Sequence, residues 1–260
     1  MMQSEDRLSH TIRQAEAAGR KALIPFLPAG FPDMERFWKE LRELDAAGAD
    51  IIEIGIPFSD PVADGPTVEE ASQECLQRGA TLGWLLEGLK RERAHLRAEV
   101  VLMGYVNPFW QFGWERLASE AAEAGVSGLI IPDLPLEESG PMESVLEERG
   151  LVLLRLVGLN TSLERMRLYA EKAKGFVYFV AVMGTTGSRD AFPPQLLERL
   201  QKAREIFSQP VALGFGINRP QQLEPLKECI DAVVFGSSLI QHLRSGGTSR
   251  EFMSRWQNRG

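Results

Sequence analysis

Two acidic residues stand where a carboxylate could take part in proton-transfer chemistry. Glu53 interrupts an otherwise apolar run, residues 51–54, and Asp64 follows in a loop rich in proline and glycine, residues 55–66. A charge inside a buried strand costs free energy unless it is paired or used, and perturbed carboxylates cluster at functional sites. Glu53 is therefore either a functional group or a carboxylate satisfied by internal hydrogen bonds.

The loop after this run carries Asp60 as well as Asp64, and each precedes a proline or a glycine. Aspartate in such a position is common in turns, where its side chain bonds to nearby backbone. A long loop at a catalytic rim can equally hold a second carboxylate over a pocket. Asp133, which follows another apolar run, is expected to cap a helix or support the site rather than react.

Three glycine-containing segments follow later apolar runs and could hold a phosphate group. They are residues 184–188, 214–216 and 235–238. Glycine lets the backbone approach an anion closely, and free N–H groups at the start of a helix attract negative charge. Gly236 and Ser237, which precede a predicted helix at 238–242, fit this description well. Plain tight turns are the alternative.

Eight short apolar runs must position these groups. Nearly every position in each run is apolar, instead of apolar and polar residues alternating, which is typical of parallel strands buried on both faces. Helical patterns separate the runs. We predict a single-domain (β/α)8 TIM barrel over residues 1–260, with an extra N-terminal helix at 2–18 that closes the bottom; an open doubly wound sheet is the alternative. The predicted strands are 22–26, 51–54, 100–103, 128–131, 151–154, 176–180, 211–213 and 232–235.

Composition excludes several classes of function. The net charge is −7, with 29 basic and 36 acidic residues and no basic cluster, so nucleic acid is not expected as a partner. Cys75 and Cys229 form neither a disulfide framework nor a metal-ligand pattern, and no metal is expected. The first twenty residues lack the apolar core of a signal peptide, and no apolar run is long enough to cross a membrane. A cytoplasmic protein is expected.

Residues 53–67 closely resemble the signature of the tryptophan synthase α chain. Supporting similarities follow in order along nearly the whole chain, at residues 25–30, 105–108, 132–139, 214–217 and 236–237. The resemblance implies a lyase of tryptophan biosynthesis that cleaves indole-3-glycerol phosphate to indole and glyceraldehyde 3-phosphate. It also implies a retro-aldol reaction that needs proton transfer but neither metal nor organic cofactor.

The resemblance assigns roles residue by residue. Glu53 would protonate indole C3 and help to deprotonate the glycerol hydroxyl, while Asp64 would hold the indole N–H. Tyr105, in the segment after the third strand, is a further candidate for the pocket wall. The ring would be surrounded by Phe26, Met103, Tyr178, Thr186 and Phe215, and the phosphate would be bound by Gly187, Gly216, Gly236 and Ser237.

The same resemblance implies a partner, a β subunit that carries pyridoxal phosphate and consumes the indole within an α2β2 heterotetramer. Two positions depart from the family pattern: residues 181–182 are Ala-Val where Ser-Arg is usual, and Phe31 stands where many members have Asp. The altered residues 181–182 keep open a free-standing indole-3-glycerol phosphate lyase. A non-catalytic regulatory partner of a β subunit and an unrelated phosphate-binding isomerase are further alternatives.

Overall fold

Nine parallel strands form one continuous sheet in the computed structural model, which describes residues 6–181, 192, 195–214, 217 and 219–257. The strand sequences are rich in Val, Ile, Leu and Phe, and most of their side chains are buried, as expected for strands covered on both faces. The strands are β1 Ala22–Pro28, β2 Ile51–Gly55, β3 Glu99–Met103, β4 Val126–Ile130, β5 Val152–Leu153, β6 Arg155–Gly158, β7 Val177–Val180, β8 Val211–Gly214 and β9 Ala232–Phe235.

The order of the strands shows that the sheet closes into a barrel. It runs β5-β4-β3-β2-β1-β9-β8-β7-β6, so β5 and β6 lie at its two ends. These two short strands are separated along the chain only by Leu154, and together they take the place of the predicted fifth strand. The prediction of a (β/α)8 barrel is confirmed, and the open-sheet alternative is wrong.

Helices alternate with the strands around the outside of the barrel. Their first turns are often capped by a side chain that accepts from otherwise free N–H groups, as Asp33 does from Glu35 and Arg36. No helix within the described residues is long and apolar enough to cross a membrane. The helices are α1 Arg7–Ala17, α2 Met34–Ala46, α3 Pro66–Gln77, α4 Leu82–Glu92, α5 Val106–Phe112, α6 Trp114–Glu123, α7 Gly140–Glu148, α8 Leu163–Lys172, α9 Leu196–Ile206, α10 Ser237–Arg244 and α11 Ser249–Gln257.

Helix α1 covers the bottom of the barrel, as predicted, although the described helix begins at Arg7. Its N-cap residue Asp6 accepts a hydrogen bond from the Gly175 N–H at 2.9 Å, just before β7 begins. Leu8 is fully buried, and its Cδ1 lies so close to Gly128 that a Cβ on that glycine would be 3.1 Å away. The opposite end of the barrel is therefore the one left open for a ligand.

Candidate active site

A cavity of about 320 Å³ opens at the C-terminal ends of the strands. It brings both predicted catalytic carboxylates together with most of the predicted substrate-binding residues that the structure describes. Its described lining is Phe26, Glu53, Asp64, Gly65, Val68, Met103, Tyr178, Ile217, Val234, Phe235, Gly236, Ser237 and Gln241.

Glu53 lies in the middle of β2 and points into the barrel. Its neighbours Ile52 and Ile54 are fully buried on the other face of the strand, so the alternation of side chains directs Glu53 toward the cavity. Glu53 is 3% exposed, and its Oε2 atom has no hydrogen-bond partner in the described structure. Burial, aided by the negative charge of Asp64, raises the pKa of Glu53 to about 8.

Asp64 reaches the cavity from the loop between β2 and α3. The loop is held at several points: the Phe58 N–H donates to Ser72 Oγ at 3.1 Å, and the Ala63 N–H donates to the Tyr105 hydroxyl at 3.0 Å. Burial raises the pKa of Asp64 to about 6, against the lowering effect of a hydrogen bond from Tyr105. At neutral pH Glu53 is therefore mostly protonated and Asp64 mostly ionised.

Aromatic side chains line the cavity at positions where nearby glycines leave room for them. A Cβ on Gly55 would lie 2.6 Å from Phe26 Cζ, and one on Gly236 would lie 2.8 Å from Phe26 Cδ1. Likewise, a Cβ on Gly214 would overlap the Tyr178 ring and hydroxyl. Since such contacts are too short for real atoms, glycine at these strand ends is what allows both rings to lie in the wall.

The first turn of α10 supplies the polar end of the cavity. Gly236 is the N-cap residue and Ser237 is the first residue of the helix, so the predicted helix start after β9 is confirmed within one residue. The N-cap residue is a glycine and provides no side-chain cap, so within the described part of the chain the N–H groups of this turn can face an anion. The described lining of the cavity thus has two carboxylates, three aromatic residues and a helix N-terminus that suits a phosphate group.

Several residues singled out from the sequence lie elsewhere. Tyr105 is not part of the described lining; its ring packs against Phe58, with centroids 5.4 Å apart, and its hydroxyl reaches the Asp64 loop. Asp60 is exposed and accepts a hydrogen bond from the Ser59 hydroxyl. Asp133 accepts from the Val106 N–H at 3.0 Å and so supports the start of α5. The remaining predicted contacts, Thr186, Gly187, Phe215 and Gly216, lie outside the described residues.

Other lining residues were not anticipated as ligand contacts. Val68 and Gln241 lie within the first two turns of α3 and α10, where helical spacing from Gly65 and Ser237 could have indicated them. Gly65 and Phe235 directly adjoin the predicted site residues Asp64 and Gly236. Ile217 and Val234 give no sequence signal that separates a cavity wall from ordinary core.

Comparison with known families decides between the remaining interpretations of this site. The family model described as "Tryptophan synthase alpha chain" matches residues 12–257. The chain belongs to the tryptophan synthase alpha chain family. The resemblance noted from residues 53–67 is thereby confirmed over almost the full length, and the unrelated isomerase is excluded.

Individual relatives give the same result. The chain is 59% identical over 254 residues to a tryptophan synthase alpha chain of Solidesulfovibrio magneticus, covering 98% of this chain and 99% of the relative. It is 55% identical over 252 residues to one of Desulfovibrio desulfuricans, covering 96% and 99%.

Solved structures share the fold. Tryptophan synthase from M. tuberculosis matches with a TM-score of 0.87 at 30% identity, over 97% of both chains. The alpha subunit from Legionella pneumophila matches with a TM-score of 0.84 at 29% identity, over 96% of this chain and 95% of that one. As an alpha chain of this family, the protein is a lyase of tryptophan biosynthesis that cleaves indole-3-glycerol phosphate to indole and glyceraldehyde 3-phosphate.

Proposed function

We propose that Glu53 and Asp64 carry the retro-aldol cleavage of indole-3-glycerol phosphate, Glu53 as acid and base and Asp64 as the anionic partner of the indole ring. The observation that carries the proposal is the free Oε2 atom of buried Glu53, which lines the same cavity as Asp64. A buried carboxyl with one oxygen that has no partner among the described residues is costly in a fold, and use in the reaction explains it best.

Glu53 acts twice. Its carboxyl, protonated at neutral pH because burial raises its pKa to about 8, gives the proton to indole C3. The resulting carboxylate then accepts the proton of the hydroxyl on the side-chain carbon bonded to C3. As that carbon becomes the aldehyde of glyceraldehyde 3-phosphate, the bond to C3 breaks and its electron pair returns to the indole ring.

Asp64 stabilises the intermediate state of the ring. Protonation at C3 places a positive charge on the indole nitrogen, and an ionised carboxylate that accepts the N–H hydrogen bond offsets this charge. Tyr105 supports this role because its hydroxyl hydrogen-bonds to Asp64 and favours the ionised form. No metal or organic cofactor is required for these proton transfers.

The remaining contacts orient the substrate. In our proposal the indole lies between Phe26, Met103 and Tyr178, while the phosphate binds N–H groups at Gly236 and Ser237. The predicted contacts that lie outside the described residues would complete the substrate site. Phe215 and Thr186 would contact the indole ring, and Gly187 and Gly216 would bind the phosphate. Tyr105, whose hydroxyl lies beside Asp64, remains a candidate substrate contact.

We also propose that the chain works as a single domain in the cytoplasm, bound to a tryptophan synthase β subunit in an α2β2 heterotetramer. Pyridoxal phosphate would be held by the β subunit alone. Two exposed apolar side chains on segments that follow the C-terminal ends of strands support a partner at this end of the barrel: Val62, in the Asp64 loop after β2, is 85% exposed, and Trp110, in α5 after β3, is 66% exposed. Tryptophan in particular is enriched at protein interfaces.

The test is release of indole from indole-3-glycerol phosphate by wild type and Glu53→Gln, with and without added β subunit. Slow release that rises with the β subunit and is lost in the variant supports the whole proposal. Rapid release that ignores the β subunit would instead favour a free-standing lyase. Full activity of Glu53→Gln would refute the role of Glu53, and biological activity without any release would favour a regulatory protein.

A further inference from the structure

Helices α3 and α10 lie side by side and share a row of polar contacts. The Gln241 side-chain amide donates to Thr67 Oγ1 at 3.3 Å. Further along both helices, Arg244 bonds to Glu70 at 2.9 Å and to Glu74 at 2.6 Å. A later residue of α10 thus pairs with later residues of α3, so the two helices run parallel.

The parallel arrangement directs two helix N-termini at one cavity. Gly65 precedes α3, Gly236 precedes α10, and both line the cavity. The partial positive charge at each N-terminus favours an anion there. No lysine or arginine belongs to the described part of the lining, so within that part any side-chain hydrogen bond to a phosphate comes from a neutral donor.

Gln241 is placed to be such a donor. It follows Ser237 by one helical turn, so both residues lie on the same face of α10, and both line the cavity. Side chains in a helix lean toward its N-terminus, which directs the Gln241 amide toward the first turn of α10. A carboxamide nitrogen carries two N–H groups, and the bond to Thr67 uses one of them.

We propose that Gln241 is a phosphate-binding residue that also links the phosphate to the catalytic loop. One amide N–H donates to the substrate phosphate while the other donates to Thr67. Thr67 lies in the first turn of α3, immediately after the loop that carries Asp64, so an occupied phosphate site holds that loop in place. This inference rests on the proposed function for the identity of the phosphorylated substrate.

Binding of glycerol 3-phosphate, measured by titration calorimetry, tests the inference without requiring turnover. We expect Gln241→Met to weaken the affinity about tenfold, since a hydrogen bond to a charged group is lost. Gln241→Glu, nearly identical in shape, should weaken it further because its charge repels the phosphate. For indole-3-glycerol phosphate, KM should rise in both variants.

Arg244→Gln is the matched control, because it removes the ion pairs between α3 and α10 without changing a group that lines the cavity. Its affinity for glycerol 3-phosphate should stay within about twofold of wild type. Unchanged affinity in both Gln241 variants would overturn the inference, as would an equal loss in Arg244→Gln, which would assign the effect to helix packing. Neither result bears on Glu53, whose role is tested separately by indole release.

Discussion

Replacement of Glu53 by Gln should make the protein more stable while it removes activity, and the gain in stability should grow with pH. The pKa of this carboxyl is 4.5 when unfolded and about 8 in the folded protein, where burial opposes ionisation. Between these values the folded state keeps a proton that the unfolded state has lost. The stability of wild type therefore falls as pH rises from about 4.5 to about 8.

The magnitude follows from the difference between the two pKa values. At about 1.4 kcal/mol for each pH unit, the change from 4.5 to about 8 corresponds to about 5 kcal/mol above pH 8, and to about 3 kcal/mol at pH 7. These are upper limits, because water in the cavity can solvate the carboxylate. Glutamine has nearly the same shape and cannot ionise, so Glu53→Gln avoids this loss.

Urea unfolding at pH 5.5 and at pH 8.5 measures the effect as a change in the free energy of unfolding. We expect Glu53→Gln to exceed wild type by about 1 kcal/mol at the lower pH and by several kcal/mol at the higher one. Asp45→Asn is the control: Asp45 is also buried, but its Oδ1 accepts from the Arg97 and Ala98 N–H groups at 2.7 Å each. That variant should be less stable than wild type.

A stability difference for Glu53→Gln that does not grow between pH 5.5 and pH 8.5 would refute the reasoning, because it would mean that the folded protein does not resist ionisation of Glu53. The activity of the variant should fall by about 10² to 10⁴, the usual contribution of a general acid–base group. A variant that is both more stable and inactive would show that the fold accepts a cost at this position for the sake of the reaction.

Three further outcomes are expected. The profile of kcat/KM against pH should be bell-shaped, falling below about pH 6 as Asp64 takes up a proton and above about pH 8 as Glu53 loses one; a profile flat over this range would contradict both assignments. Tyr105→Phe removes a hydrogen bond that lowers the pKa of Asp64, so the acid limb should move to higher pH, and an unmoved limb would leave Tyr105 with a packing role only. Gly55→Ala should cost about 1–3 kcal/mol in urea unfolding because its Cβ would meet Phe26, and Phe26→Leu in the same chain should recover part of the loss; equal stability of Gly55→Ala and wild type would show that the ring moves freely.

The barrel could be predicted because its strands are nearly continuous apolar runs, and the inward direction of Glu53 followed from simple alternation along β2. The fifth strand could not be predicted as two pieces, since nothing in the run 151–154 marks the interruption at Leu154. Asp64 could not be separated from Asp60 by residue type, because turns and active sites use aspartate alike. A contact distant in sequence separates them: Asp64 interacts with the Tyr105 hydroxyl, whereas the described hydrogen bond of the Asp60 side chain is to its neighbour Ser59.

The two carboxylates differ in chemistry because the fold gives them different surroundings. Glu53 lies on a strand, where the backbone bonds to its neighbours, the side chain is buried and its Oε2 atom has no hydrogen-bond partner among the described residues, so its neutral form is favoured. Asp64 lies on a loop, which can bring in the Tyr105 hydroxyl and the N-terminus of α3, and both favour its ionised form. A strand and the loop that follows it thus provide an acid and an anion at one end of one barrel, from two residue types that are nearly identical in free solution.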